Sequence, residues 1–229
     1  MTIRPSVLAK WPAYTLKFEG RVSTMYADVR GLITTGMGNL IDPIGPALVL
    51  PWQTLDAHGA PVAATQAQIA ADWNALKSRG IGMGSHNPPT QAKIAGLKCW
   101  LDDAAIDALV AAKCAQNADF MRAHYFPDWD SWPADAQLGT LSEAWAAGAG
   151  FPATFHSFTA AAQKQDWVHA ASECASRVTT PEGIKNVGVI PRNDAQMICF
   201  RNAAAVAASV GTLDPSVCYW PDLVAGDAK

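Results

Sequence analysis

No stretch of the chain approaches the ~18 consecutive apolar residues that a membrane-spanning helix needs. The longest candidate, "AAAVAASVG" from Ala203, is short and alanine-rich and reads as a packed helix. The N-terminal "MTIRPSVLAKWPAYTLKFEG" lacks the continuous apolar core of a secretory signal. The expectation is a protein made in the cytoplasm, carried or released by other machinery if it acts outside. Charge is scarce, at 16% of residues with a net of −3, so nothing draws the chain in general to nucleic acid or to an anionic membrane surface. No basic and aromatic pattern suggests nucleic acid either. The five cysteines, Cys99, Cys114, Cys174, Cys199 and Cys218, contain no Cys-x-x-Cys pair, and the five histidines lie far apart. A zinc site or other metal centre is therefore not expected, and the cysteines read as buried reduced thiols, at least one of them necessarily unbridged. There is no Gly-x-Ser-x-Gly elbow. "GIGMGS" has glycines but follows a helical pattern and carries no Lys-Ser/Thr, which removes a phosphate loop.

What is present is a chain of 229 residues, half of them apolar or aromatic, enough to bury a core as one domain of two lobes. Val7, Trp11, Tyr14 and Phe18 recur at helical spacing and predict a helix over 6–18, with Pro12 kinking or starting it and Gly20 capping its end. Residues 24–41 change to β-branched residues punctuated by Gly31, Gly36 and Gly38, which predicts a small hairpin or sheet. Residues 42–98 are looser. Thr65 and Gln68 form a capping box that opens a helix through Ile69, Trp73 and Leu76 to about Gly80, and "GIGMGSHNPPT" reads as a loop. Trp52, His58 and Trp73 in this segment either pack it or contact a sugar or partner. From residue 99 onward the chain is alanine-rich and helical. Asp102 is the N-cap of a helix to about Arg122, with Leu101 and Ile106 as its staple. Pro133 opens another helix running to Gly148, and three more are expected over 155–164, 166–177 and 193–210. The predicted class is α+β, mostly α: a small lobe over 1–98 with the N-terminal helix, the hairpin and the segment 42–98, then a helical lobe over 99–229.

Two isolated carboxylates stand out in "KFEGRVSTMYADVRGLITTGMGN". Glu19 falls at the predicted end of the first helix, where the negative pole of the helix dipole favours the protonated form of a carboxyl. That is the condition of a general acid. Asp28 sits in or beside a turn and suits the anionic role. Thr34 follows on a strand, where a hydroxyl can hold a water beside a carboxylate. Two carboxyl groups in different protonation states are the minimum equipment for glycoside hydrolysis. Equally, a helix-end Glu and a turn Asp can be a surface ion pair and a backbone cap.

The spacing of Glu, eight residues, Asp, five residues, Thr resembles the catalytic pattern of the phage-type lysozymes, the T-even phage family of glycoside hydrolases. The frame is similar too: Gly20 after the Glu, Tyr26 two before the Asp, and "GLITTGMGNL" like the family's glycine-rich hairpin. More faintly, "AQLGTLSEAWAAGAGF", "TFHSFTAAAQKQDWVHAASECASR" and "IPRNDA" resemble later segments. The resemblance covers 15–41 closely and 100–205 weakly. Asn39 stands where the family usually has His, and 42–98 aligns with nothing.

The resemblance implies a lysozyme-like fold with the two lobes flanking a cleft, and Glu19 as general acid with Asp28 and Thr34 directing water. The implied outcome is inversion, which needs a gap of roughly 6.5–9.5 Å between the carboxyls. It also implies Leu40, Trp145, Glu173 and Arg192 as substrate-binding residues, with Arg192 facing the catalytic Glu. The last three can equally be a core Trp, a solvated helix Glu and a surface Arg. The implied substrate is the glycan strand of peptidoglycan, with no cofactor, no metal and a monomeric enzyme. A lytic transglycosylase or a silent wall- or partner-binding module are the alternatives. A phage endolysin freed through a holin pore and a secreted antibacterial effector with a cognate immunity protein are both compatible with the sequence.

Overall fold

The computed structural model describes residues 3–176, 178 and 189–223. The chain is α+β and mostly helical, and it divides into two compact units. One comprises residues 19–113, the other 1–18 with 114–229. The division differs from the 1–98 and 99–229 lobes read from sequence. The first helix groups with the C-terminal helices because its Tyr14 packs edge-on against Trp220 at 4.7 Å and its Trp11 meets Trp145 at 5.5 Å.

In the 1–18/114–229 unit, α1 spans Pro5–Thr15, shorter than predicted. Pro5 lies in its first turn, where a missing N–H costs nothing. Pro12 lies inside it. Turns over 16–18 carry the chain out, and the helix is capped at Leu16 rather than Gly20.

In the 19–113 unit, β1 (Val22–Ala27), β2 (Ile33–Gly36) and β3 (Asn39–Leu40) form an antiparallel sheet in sequence order. Tyr26 pairs with Thr34, and Thr34 with Leu40, so these three side chains share one face. Met25, Ala27 and Ile33 lie on the other and are fully buried. Gly36, at φ +64°, adopts a left-handed backbone that disfavours a side chain, and a Cβ there would sit 3.0 Å from Asn39 Oδ1. Asn39 is buried, and its Oδ1 accepts the Met37 N–H at 3.3 Å, a structural role inside the hairpin.

Residues 42–98 build α2 (Gly45–Leu48), a two-stranded hairpin of β4 (Gln53–Leu55) and β5 (Pro61–Ala63), α3 (Gln66–Lys77), a 3-10 turn over Gly80–Ser85, and α4 (Pro88–Ala95). The Thr65–Gln68 capping box opens α3. The expected loop "GIGMGSHNPPT" is instead the 3-10 turn and the start of α4: Asn87 accepts the Thr90 N–H at 3.0 Å and two prolines occupy the first turn. Trp52 and Trp73 are buried, their indole N–H groups donating to Ala47 and Ile41 carbonyls at 2.8 and 3.1 Å. They therefore pack the segment, while His58 is exposed. Buried Asp72 accepts the N–H groups of Lys98 and Cys99, tying α3 to the strand-like run that bridges Gln53 to Trp100.

The long helix α5 (Asp103–His124) begins as expected, with Asp102 accepting the Ala105 N–H at 2.8 Å and Leu101 and Ile106 both buried. The boundary between units falls within it, at Cys114. In the helical unit, α6 (Ala134–Ala147) is buried on all sides along most of its length. Around it lie α7 (His156–Gln163), α8 (Trp167–Glu173) and α9 (Ile190–Ala208). The predicted end of α8 at Arg177 falls outside the described residues. Gly139 lets α6 approach α9, since a Cβ there would sit 3.0 Å from the Phe200 ring. Phe126, Trp132 and Trp167 continue this core with ring centroids 4.8 and 4.9 Å apart. Asp135 accepts the N–H groups of Tyr219 and Trp220 at 2.8 and 2.9 Å, fastening the C-terminal segment to the start of α6. All five cysteines are buried and unpaired.

Candidate active site

Glu19 lies in a bend beyond the turns that follow α1, half-buried. It is four residues past the last helical residue, Thr15, beyond the last turn over which a helix dipole acts and not at the helix end expected from sequence. Two residues on, Arg21 fixes the entry to β1. Its Nε and Nη1 donate to Asp103 and Asp107 at 2.8 Å each, and its Nη2 to the Asp103 carbonyl at 2.7 Å. These carboxylates, Asp107 first, raise the Arg21 pKa still further.

Asp28 begins the turn between β1 and β2. Its Oδ1 accepts the N–H groups of Arg30 and Leu32, both at 2.8 Å, while its own N–H and C=O pair with Leu32 and Gly31. The residue is half-buried. Gly31, at φ +74°, makes the reversal possible. The carboxylate thus closes its own turn with one oxygen, a local motif that Asp favours.

Tyr26 connects the two carboxyls. Its hydroxyl pKa is pushed up to about 12, first by burial, then by Glu19, then by Asp28. Both carboxyl groups therefore act on one phenol, which stays protonated at neutral pH and keeps its O–H as a hydrogen-bond donor. Thr34, directly opposite Tyr26, is 6% exposed, and its hydroxyl reaches the Leu32 carbonyl at 3.4 Å. Leu40, next across the sheet, is 55% exposed. Glu19 and Asp28 thus both bear on the Tyr26 hydroxyl, and Thr34 and Leu40 share the sheet face of Tyr26, a residue that sequence reading used only as part of a frame.

Trp145, Glu173 and Arg192 belong to the helical unit. Trp145 is half-buried on α6. Glu173 ends α8, exposed, 3.9 Å from His169, and lines a cavity of about 610 Å³ with Thr154, Phe155, His156, Ser157 and Phe158. Arg192 is no surface residue: at 7% exposure it donates to the Ser142 carbonyl at 3.3 Å and lies 4.9 Å from the Phe18 ring centroid. Sequence reading missed its neighbour Glu143. This carboxyl is 3% exposed, accepts from Ser176 and Gln196 at 2.8 Å each, and is held above its ordinary pKa by burial against the opposing pull of those bonds and Arg192. Its only sequence signal is a charge within an alanine-rich helix.

Chemically, the sheet face offers a neutral phenol and a hydroxyl, with two carboxyl groups near enough to act on the phenol. It suits proton transfer and water activation. Among the described residues no group of three or more His, Cys, Asp or Glu could hold a metal ion, and no helix is long and apolar enough to cross a membrane. Set against known proteins, the chain matches no protein-family model and no curated protein sequence.

Proposed function

We propose that the chain is a peptidoglycan muramidase, hydrolysing the β-1,4 bond between N-acetylmuramic acid and N-acetylglucosamine. Glu19 gives its proton to the leaving glycosidic oxygen. Asp28, helped by the Thr34 hydroxyl, orients a water and takes its proton as the water oxygen bonds to the anomeric carbon from the opposite face, so the centre inverts. Leu40, exposed on the same face, contacts the glycan. The substrate is reached outside the cytoplasm, after export or release.

The observation that carries this reading is the Tyr26 hydroxyl under the joint influence of Glu19 and Asp28, on the sheet face that holds Thr34. It supports two carboxyl groups gathered at one locus, which hydrolysis of a glycoside requires, and the sequence spacing supplies the third group. The test is clearing of purified peptidoglycan by the wild type and by Glu19→Gln. Loss of a general acid is worth about 10²–10⁴ in rate. Equal clearing by both proteins would remove the assignment. Reducing-end sugars in the digest support hydrolysis, whereas anhydro-muramyl ends would make the enzyme a lytic transglycosylase.

A further inference from the structure

We propose that Gln91 and Gly84, from the segment 42–98, are positioning residues for Asp28. The kinetic side of this inference rests on the muramidase reading; the structural side does not.

A strand residue directs its N–H and C=O to the same side. At Ala27 no third strand lies there among the described residues, and the primary amide of Gln91 fills the place. Its Oε1 accepts the Ala27 N–H at 2.7 Å, and its Nε2 donates to the Ala27 carbonyl at 2.9 Å. The same Nε2 donates to the His86 carbonyl at 2.8 Å, and the side chain is 1% exposed. A side-chain amide therefore completes the ladder at the residue immediately before Asp28.

One residue further, the 3-10 turn lies against the Asp28 backbone itself. A Cβ on Gly84 would fall 2.1 Å from the Asp28 carbonyl oxygen, 2.7 Å from its carbon and 2.9 Å from Val29 Cα. Only glycine permits that approach. Beyond the turn, Lys77 donates to the Gly31 carbonyl at 3.3 Å and pairs with Asp42, whose carboxylate accepts the Ile33 N–H at 3.1 Å. The stretch 27–33 is thus gripped from outside the sheet at successive points.

The Asp28 carboxylate is ordered within its own turn, but a hairpin turn can pivot where its strands end. Gln91 and Gly84 act at that pivot and fix the backbone on which the carboxylate rides. A displacement near 1 Å at a reacting group can cost about 10²-fold in rate.

The test pairs kinetics with amide hydrogen exchange in the full-length protein. In Gln91→Met, which keeps length but loses the amide, and in Gly84→Ala, kcat on peptidoglycan is expected to fall about 10–100-fold with KM within about twofold. Exchange at the Arg30 and Leu32 amides, which bond Asp28, should accelerate while the rest of the sheet stays protected. Gln91→Asn keeps both the amide donor and the acceptor on a side chain one methylene shorter and should recover part of both losses; it carries the same readouts should Gln91→Met not fold. Val62→Ser, on the exposed strand β5 of the same segment, should leave both at wild-type values. Unchanged kcat, or exchange rising evenly over the whole sheet, overturns the inference. A wild type that cleaves no glycan removes the muramidase reading instead, and exchange at Arg30 and Leu32 then decides the positioning alone.

Discussion

Tyr26 and Thr34 stand directly opposite each other across β1 and β2. Paired side chains in an antiparallel ladder share a face, so the phenol that responds to Glu19 and Asp28 marks the face on which the threonine hydroxyl lies. The opposite face, with Met25, Ala27 and Ile33, is packed hydrocarbon. One sheet thus separates a polar locus from a core, and the alternation of β1 decides which residue goes where.

The phenol also reports the arrangement without any substrate. Its pKa, about 12, reflects burial first and the two carboxylates next. Removing either negative charge should lower it, Glu19→Gln more than Asp28→Asn. Carbon-labelled tyrosine NMR through an alkaline titration, with Tyr26→Phe assigning the signal, makes the measurement. A midpoint indifferent to both substitutions would mean that the carboxyls do not converge.

Asp28→Asn separates charge from structure. The asparagine oxygen can still accept the Arg30 and Leu32 N–H groups, so the turn should persist and melting should change by no more than a few degrees. On the muramidase reading the charge proposed to steer water is lost, and the rate on peptidoglycan should drop by at least about 10²-fold. Full activity in a folded Asp28→Asn would assign the aspartate to turn formation alone.

The cysteines make a sharper statement about burial. Cys99, Cys174 and Cys218 are pushed up to about 12, with burial the leading cause in each, and Cys114 and Cys199 are raised by burial as well. A thiol reacts as thiolate. The native protein at pH 8 should therefore consume almost no Ellman's reagent, and the same protein in denaturant should consume five equivalents. Rapid reaction of one native thiol would show an opening to that site.

Local signals were legible in the sequence, and distant ones were not. The Thr65–Gln68 box and the Asp102 cap are decided within four residues, and both form. The aromatic spacing that extended α1 to Phe18 reports packing rather than backbone: Phe18 does meet Tyr14 at 5.1 Å, although the helix has already ended at Thr15. The prolines of "NPPT" suggested a loop, yet after an Asn cap they open α4. Glu19, Asp28 and Thr34 are proposed from their spacing, which is possible because they belong to one short stretch of chain. Gln91 reaches Ala27 across 64 positions, and no periodicity announces such a bond. Glu143 was invisible for a related reason, since its burial is imposed by α9 and by Ser176, far along the chain.

That burial gives Glu143 a pH signature of unusual sign. Its folded pKa lies above the ordinary value of 4.5, because burial outweighs the Ser176 and Gln196 hydrogen bonds and the Arg192 charge. Below 4.5 the carboxyl is protonated in both states and exerts no pH dependence. As pH rises past that value the unfolded chain releases its proton first, the folded state holds more protons, and stability declines until the folded carboxyl has ionised too. Each unit of displacement is worth about 1.4 kcal/mol, or roughly 3–5 °C in melting temperature for a chain of this size. Glu143→Gln cannot titrate. Any constant gain or loss from the new amide cancels when its melting temperature minus that of the wild type is compared at pH 4 and pH 7. That difference should grow in favour of the variant towards neutral pH, read by calorimetry at the two values. A difference that stays flat, or that shrinks as pH rises, would show that the hydrogen bonds and the arginine overcome burial, and that Glu143 is a stabilising anion in the helical core.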